Sequence, residues 1–445
     1  MAQLRYVNDL GNGHTGYVDY GSGIVVTTTS GQPLEVTNTA SGVVSVRGGG
    51  VADDAFGRFR VSNPFTLFDS SHRYQDNDQW STAVAVSGTA TFNANQGLMD
   101  LEVTTASGSE VVRESTLVTS YQPGKSLLVM TTFSMDDAKT NLRQRVGYYG
   151  AANGIFLELE NAVLSFVKRS SITGSVVETK VAQANWNVDK LDGTGPSGIT
   201  LDITKAQILF TDIEWLGVGT VRLGFVIDGQ LIHCHSFHHA NTVEATYITT
   251  ASLPLRYEIK STNTTASASV LKQICSTVIS EGGYELFGQQ RSIGLGATTP
   301  RDLTTSGVEY PVVGIRLKST RLDAVVIPAS VSLIGVGNNS IFKWQLQQGG
   351  TISGGTWTSV ASGSPVEYNL SGVSSSGGIP LTAGYIAADN QGAAIPANLD
   401  KSNLFKYQLR RNGTTSAPEE FTLIVETNAS GNDVYSAMSW EEVSR

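Results

Sequence analysis

Apolar and polar residues alternate along this chain in short runs that end at Gly, Asn, Asp or Pro, the period-2 signature of half-buried β-strands. Gln144-Arg145-Val146-Gly147-Tyr148-Tyr149 leads through Asn153-Gly154 into Ile155-Phe156-Leu157-Glu158-Leu159-Glu160, and Asn161 turns the chain into Val163-Leu164-Ser165-Phe166-Val167. A second hairpin runs from Val221 to Ile227, through Asp228-Gly229, and back from Gln230 to His235. Asn-Gly and Asp-Gly supply the positive φ that tight hairpin turns require. Helical candidates are few and short. The spacing predicts an all-β protein built of β-sandwiches, and no regular repeat of about 40 residues supports a propeller.

The pattern divides the chain. Residues 1–50 hold short alternating runs such as Ile24-Val25-Val26-Thr27-Thr28 and Leu34-Glu35-Val36-Thr37, with few large side chains, and close on Gly48-Gly49-Gly50. Such a segment cannot bury a sizeable core alone and reads as an extended β arm that packs on its own body or another subunit. Residues 51–80 contain a segment rich in Phe and Arg, without helical period and broken by Pro64, which reads as an extended strap lying on a surface. The central sandwich is expected over 81–285, a Gly/Thr/Ser/Gln-rich linker over 286–308, and a second sandwich of jelly-roll type over 309–445.

Composition narrows the function classes. Of 445 residues only 16% are charged, against roughly 25% in an average soluble protein, while 47 are Gly. A net charge of −9 and a pI near 5.2 argue against a basic nucleic-acid surface. The apolar stretch from Leu322 to Val336 is interrupted by Pro328, Ser330 and Ser332, so no membrane insertion is expected. The start, Met-Ala-Gln-Leu-Arg-Tyr, lacks the apolar core of a secretory signal, and synthesis in a cytoplasm is expected. Cys234 and Cys275 form no Cys-x-x-Cys motif and are expected as free buried thiols, with a disulfide between them as the unsupported alternative.

Candidate chemistry is sparse. His233, Cys234, His235, His238 and His239 cluster near one hairpin. With Asp228-Gly229 as a two-residue loop, the pairing predicts Phe225 opposite Ile232, Gly224 opposite His233, Leu223 opposite Cys234 and Arg222 opposite His235. Cys234 then faces the apolar side and His233 and His235 the other, so they do not converge on one zinc ion. Asp212 and Glu214 flank Ile213 on one strand face, as Glu158 and Glu160 do around Leu159. Residues two apart on a strand lie at ~6.5–7 Å, near the spacing that paired catalytic carboxylates use. A solvated sheet face shows the same alternation, however, and the three-carboxylate pattern of sandwich-fold glucanases is absent. Trp215, Trp344 and Trp357 are candidates for stacking a sugar. Asp76-Asn77-Asp78 reads as an Asx turn rather than a calcium loop. There is no nucleophile elbow and no phosphate-binding glycine loop, so no catalytic residue, metal or cofactor is expected.

The strap Asp54-Ala55-Phe56-Gly57-Arg58-Phe59-Arg60-Val61-Ser62-Asn63-Pro64-Phe65-Thr66-Leu67-Phe68-Asp69-Ser70 resembles a segment of virion structural proteins of large tailed phages, notably those infecting marine cyanobacteria. The resemblance extends to Tyr121-Gln122-Pro123-Gly124-Lys125-Ser126, Asn141-Leu142-Arg143-Gln144-Arg145-Val146-Gly147, Asp212-Ile213-Glu214-Trp215-Leu216-Gly217 and Gln273-Ile274-Cys275-Ser276-Thr277-Val278-Ile279-Ser280-Glu281-Gly282-Gly283. It covers about residues 54–285. The Asp228-Gly229 hairpin is similar, at the level of fold, to concanavalin-like sandwiches. The resemblance implies a non-enzymatic particle component, located in the virion. Its expected partners are other virion proteins and further copies of itself, with a host surface glycan as an additional one. Peripheral tail, baseplate or fibre is the first placement and capsid decoration the second; a carbohydrate-binding adhesin or depolymerase is the competing class. Phe56, Arg58, Phe59, Arg60, Phe65 and Phe68 are the candidate assembly contacts, each Phe able to bury ~1.5–3 kcal/mol of apolar surface. The same phenylalanines could instead seal the base of the central sandwich.

Overall fold

The computed structural model describes residues 24–27, 33–38, 44–47, 63–285, 287–388 and 407–444. The chain forms two compact units, 1–63 and 64–445. In the first, Ile24–Thr27, Pro33–Asn38 and Val44–Arg47 make a three-stranded antiparallel sheet, with Ile24 opposite Val36 and Val36 opposite Val46. Phe56, Arg58, Phe59 and Arg60 lie outside the described residues.

The second unit contains two β-lobes. In the central lobe one sheet runs in the order Val177–Ala182, Val163–Ser170, Gly154–Glu160, Leu142–Tyr149, Leu255–Ser261, Glu110–Ser115, Trp80–Ala85. The other runs Gln230–Phe237, Val221–Ile227, Gln207–Ile213, Leu127–Ser134, Ser269–Ser280, Leu98–Val103, Thr89–Asn93. Alternation places the core: along Leu127–Ser134 every odd-numbered residue is buried and every even-numbered one is half-buried on the opposite face. Leu101, Phe133, Val146, Leu157, Phe166, Leu223, Phe225 and Ile259 from the two inner faces join one apolar cluster, the β-sandwich that the pattern predicts.

Turn chemistry sets the registers. Asp228 (φ 50°) and Gly229 (φ 75°) form a two-residue turn with Ile227 opposite Gln230, and Asn161 (φ 48°) with Ala162 (φ 67°) does the same between Glu160 and Val163. Asn153-Gly154 acts differently from expectation. Tyr149 pairs with Gly154, so Gly154 opens the strand, while the Gly150 N–H closes a four-residue loop on the Asn153 carbonyl at 2.9 Å.

Two segment assignments are corrected. The described end of the strap is not a surface strip: Phe65–Ser71 is a strand of the central lobe, paired with Cys275–Ser280 beyond the point where Leu98–Val103 leaves that long strand. The stretch expected as a linker over 286–308 supplies Gln289–Gly294 and Arg301–Leu303, which both pair with Asn432–Ser444. The C-terminal lobe therefore begins near residue 289. Val325–Val336 completes that sheet on the other side of Asn432–Ser444. The facing sheet is built from Val366–Asn369, Tyr310–Leu317, Glu420–Thr427, Ser340–Ser353 and Ile379–Ala388. Phe342, Leu346, Phe421, Leu423, Met438 and Trp440 fill the core between them.

The two lobes are bolted together. The Arg411 guanidinium pairs with Glu114 of the central lobe and lies 3.1 Å from Asp323, its N–H donates to the Thr116 carbonyl at 3.1 Å, and Gln408 Nε2 donates to the Val118 carbonyl at 2.9 Å.

Candidate functional site

The strand Gln207–Ile213 turns Leu209, Thr211 and Ile213 into the core and leaves Phe210 and Asp212 on the outer face. Gly224 opposite has no side chain, and this lets the Phe210 ring lie over the neighbouring strand; a Cβ there would come within 2.7 Å of it. Asp212 faces Arg222 directly across the sheet and forms an ion pair with it. Glu214, just past the strand end, is exposed. The two carboxylates share a cavity of about 480 Å³ with Lys125, Ser126, Leu216 and Arg222. Lys125 Nζ donates to Gln122 Oε1 at 3.0 Å, and Ser126 Oγ donates to Glu281 Oε2 at 3.2 Å. The acidic and basic groups at its wall are in balance, and Leu216 is its one large apolar side chain.

Glu158 and Glu160 share a face, as the alternation predicts, but Lys180 takes up both, and Arg145 adds a 2.6 Å contact to Glu158. They belong to a network on the outer face of the other sheet. There Tyr149 and Phe156, with ring centroids 4.3 Å apart, are fully buried beneath guanidinium groups: Arg145 and Arg169 each lie 5.1 Å from the Phe156 ring, and Arg256 lies 5.5 Å from that of Tyr149. Burial acts to raise the Glu258 carboxyl, but Arg256, Arg143 and Arg145 outweigh it and hold the group below the usual carboxylate range. Burial and the nearby Glu258 charge push the Tyr149 phenol well up, so it stays neutral. Sequence reasoning missed this network. Its signal was the pattern Arg143-x-Arg145, Glu158-x-Glu160 and Arg256-x-Glu258, charges two apart on adjacent strands.

The histidines separate. The predicted pairing holds through Gly224 opposite His233, then a bulge at Cys234 sets Leu223 opposite His235 and Arg222 opposite Ser236. This corrects the expected Leu223–Cys234 and Arg222–His235 pairs. The extra residue turns both Cys234 and His235 inward: Cys234 is fully buried and His235 meets Phe237 edge-on at 4.6 Å. His233 stays on the outer face, where its Nε2 lies 2.9 Å from Ser236 Oγ. His238 is exposed. His239 stacks on Tyr247 at 3.8 Å, with Nδ1 2.6 Å from the Gly219 carbonyl and Nε2 3.1 Å from Lys168 Nζ. Burial lowers His235 and His239 to about 4 each, with the Lys168 charge adding to the effect at His239. Among the described residues no three His, Cys, Asp or Glu side chains converge as metal ligands. Cys275 is exposed, against the expectation of a buried thiol. At Asp76-Asn77-Asp78, the Asp76 carboxylate pairs with Arg113, and Asn77 Oδ1 accepts the Gln79 N–H at 2.9 Å in an Asx turn.

The aromatic candidates also divide. Trp215 is half-buried, its Nε1 donating to the Ile248 carbonyl at 3.2 Å and its ring edge-on to Tyr121. Trp344 is no platform: it sits in the C-terminal core with Gly384 against its ring. Trp357 is half-buried under Arg316, whose guanidinium lies 4.0 Å from the ring centroid. Phe68 is a core residue, edge-on to Trp80 at 5.8 Å, so the sealing alternative describes it and the assembly role does not. Phe65 remains at the surface, 39% exposed and stacked on Tyr284.

No protein-family model matches the chain, and none of the curated proteins does. Solved structures are similar at low identity. A protein of unknown function from Shewanella oneidensis MR-1 is 11% identical, covering 51% of this chain and 90% of its own, with a TM-score of 0.34. A β-glucanase of Bacillus licheniformis is 12% identical over 49% of this chain and 99% of its own, at 0.31. A carbohydrate esterase of the Shiga toxin-encoding bacteriophage phi24B is 10% identical over 49% of this chain and 100% of its own, at 0.29. These likenesses carry nothing beyond the β-rich fold already described.

Proposed function

We propose that this chain is a non-enzymatic structural and assembly component of a tailed-phage virion, anchored through its N-terminal region and placed in the peripheral tail, baseplate or fibre. The observation that carries the reading is the division at residue 63. Residues 64–445 form one body with its own cores and its own inter-lobe bolt, and the sequence that precedes it carries most of the phage-like strap. A part that must attach to a particle without losing its fold is built this way.

The test is incorporation. A chain beginning at Pro64, checked for native circular dichroism, is expected to be absent from particles assembled in its presence, while the full chain enters them. Entry of the truncated chain at full copy number contradicts anchoring. The boundary matters: cutting after Phe65–Ser71 removes a strand of the body and confounds the result.

A second reading, a glycan-binding surface protein, is favoured by the cavity containing Asp212 and Glu214. Glycan-array binding that disappears in both Asp212→Ala and Glu214→Ala supports that reading. Release of reducing sugar that the same variants abolish overturns the non-enzymatic one.

A further inference from the structure

An asparagine followed by glycine can attack itself: the glycine nitrogen bonds to the side-chain carbonyl carbon, ammonia leaves, and the resulting succinimide takes up water. Glycine permits the approach because it has no side chain to hinder it. The sequence holds three such pairs, Asn12-Gly13, Asn153-Gly154 and Asn412-Gly413, and the first lies outside the described residues. The structure treats the other two oppositely. Asn153 is locked. Only 5% exposed, it donates from Nδ2 to Thr249 Oγ1 at 2.7 Å and to Ser171 Oγ at 3.2 Å, while its Oδ1 accepts the N–H groups of Thr249 at 3.1 Å and Ser171 at 3.3 Å. Loss of ammonia there breaks two buried hydrogen bonds.

Asn412 is arranged for the reaction. It ends the short strand Arg411–Asn412, is half-buried, and leads into the turn 413–416. Three donors converge on its Oδ1: the Thr414 hydroxyl at 2.6 Å and the N–H groups of Thr415 at 3.0 Å and Thr414 at 3.1 Å. The bond from the Thr414 N–H closes an Asx turn, a ring that contains the Gly413 nitrogen and folds the carboxamide back over that peptide. Oδ1 is the atom on which negative charge develops as the nitrogen attacks Cγ. The three donors therefore act on the tetrahedral intermediate as an oxyanion hole does. Among the described residues neither Asn412 Nδ2 nor the Gly413 N–H has a hydrogen-bond partner, so the amine departs and the attacking nitrogen loses its proton without a bond being given up.

We infer that Asn412-Gly413 is a self-modification site, at which the chain converts Asn412 to aspartate and isoaspartate, and that the isoaspartate form releases the contact between the two lobes. The Gly413 nitrogen gives its proton to water and bonds to Cγ, the Cγ–Nδ2 bond breaks, and ammonia leaves with a proton from water. A second water then opens the succinimide. Opening at Cγ restores the ordinary main chain with an aspartate at 412. Opening at the main-chain carbonyl of residue 412, the commoner course, frees that carbonyl as a carboxylate and routes the chain through Cβ and Cγ, one atom longer. Position decides the consequence. Gly413 packs directly on the inter-lobe ion pair, where a Cβ would overlap both the Glu114 carboxylate and the Arg411 guanidinium. A longer link displaces Gly413 from that fit and adds a negative charge one residue from Arg411, in competition with Glu114. This inference does not depend on the phage reading.

Ageing of the purified full chain in warm, mildly alkaline buffer tests it. Peptide mass spectrometry reads the loss of the amide, and enzymatic isoaspartate methylation reads the longer link. Wild type is expected to convert at Asn412 while Asn153 stays intact, a comparison that needs no variant to fold. Thr414→Val removes the hydroxyl donor and keeps both N–H groups, and is expected to convert about fivefold more slowly, the net worth of one hydrogen bond. Asn412→Gln is expected to stay unconverted. Hydrogen exchange along a urea series then reads the lobes through Tyr310–Leu317 and Leu142–Tyr149. Fresh wild type and aged Asn412→Gln are expected to open both peptides together, and converted wild type to open the C-terminal one first. Retention of Asn412, conversion at Asn153 as fast as at Asn412, or faster conversion of Thr414→Val overturns the site. A converted chain whose lobes still open together overturns its effect on their contact.

Discussion

Replacing Arg411 by Ala strikes the bolt between the lobes. The Arg411 side chain is only 5% exposed and its carboxylate partner Glu114 only 3%. Removing one member of a buried pair costs ~3–5 kcal/mol, because the remaining charge stays desolvated. Glu114 keeps Arg256 at 3.0 Å, which moves the cost to the lower end, and Asp323, 61% exposed, adds little. The expected loss is therefore about 3 kcal/mol, borne by the contact between lobes rather than by either core. With a urea slope of ~3 kcal/mol/M for a body of this size, the midpoint for the C-terminal lobe falls by about 1 M. Hydrogen exchange along a urea series reads the lobes separately, through peptides spanning Tyr310–Leu317 and Leu142–Tyr149. Wild type is expected to open both together, and Arg411→Ala to open the C-terminal peptide first. Coincident transitions at the wild-type midpoint would refute the view that this ion pair couples the lobes.

Other consequences are as direct. His72, His235 and His239 are held near 4 by burial, against about 6.5 when unfolded. The unfolded chain therefore binds more protons between those values, so stability is full above pH 6.5 and declines as pH falls toward 4; a urea midpoint that stays flat across this window contradicts the assignment. Gly224→Ala sets a Cβ 2.0 Å from the Ile232 carbonyl oxygen and is expected to cost about 3 kcal/mol in urea unfolding. Phe68→Ala is expected to cost ~3–5 kcal/mol by the same assay, since its ring is in the core, and a change under 1 kcal/mol would return it to the surface role. Treatment with a chelator is expected to leave the melting temperature unchanged, and a drop of many degrees would revive metal binding by the histidines.

Much of the fold was legible because a strand's period is 2 and its turns have a chemical signature. Ile227-Asp228-Gly229-Gln230 and Glu160-Asn161-Ala162-Val163 could be read to the residue. The bulge at Cys234 could not, because one inserted residue leaves local composition unchanged while rotating everything after it. Gln289–Gly294 looked like a link for a related reason. Its Gly and Gln residues have weak strand propensity, and it becomes a strand by pairing with Asn432–Ser444, far along the chain. Phe68 and Trp344 misled as surface residues because large aromatics fit cores and interfaces alike. At the candidate site, the shared face of Asp212 and Glu214 was visible in the alternation. The ion pair of Asp212 with Arg222 was not, because it depends on the register across the loop 214–220, which carries no turn signature that fixes it, and the cavity wall from Lys125 came from a loop that no local pattern connects to it.

A density map of an intact particle bears most directly on the proposed role. The account expects this chain to be present in the particle, with residues 1–63 making its contacts to neighbouring proteins and the two β-lobes projecting from that attachment. A particle that lacks the chain, or holds it only through the 64–445 body with the first 63 residues touching nothing, would contradict it.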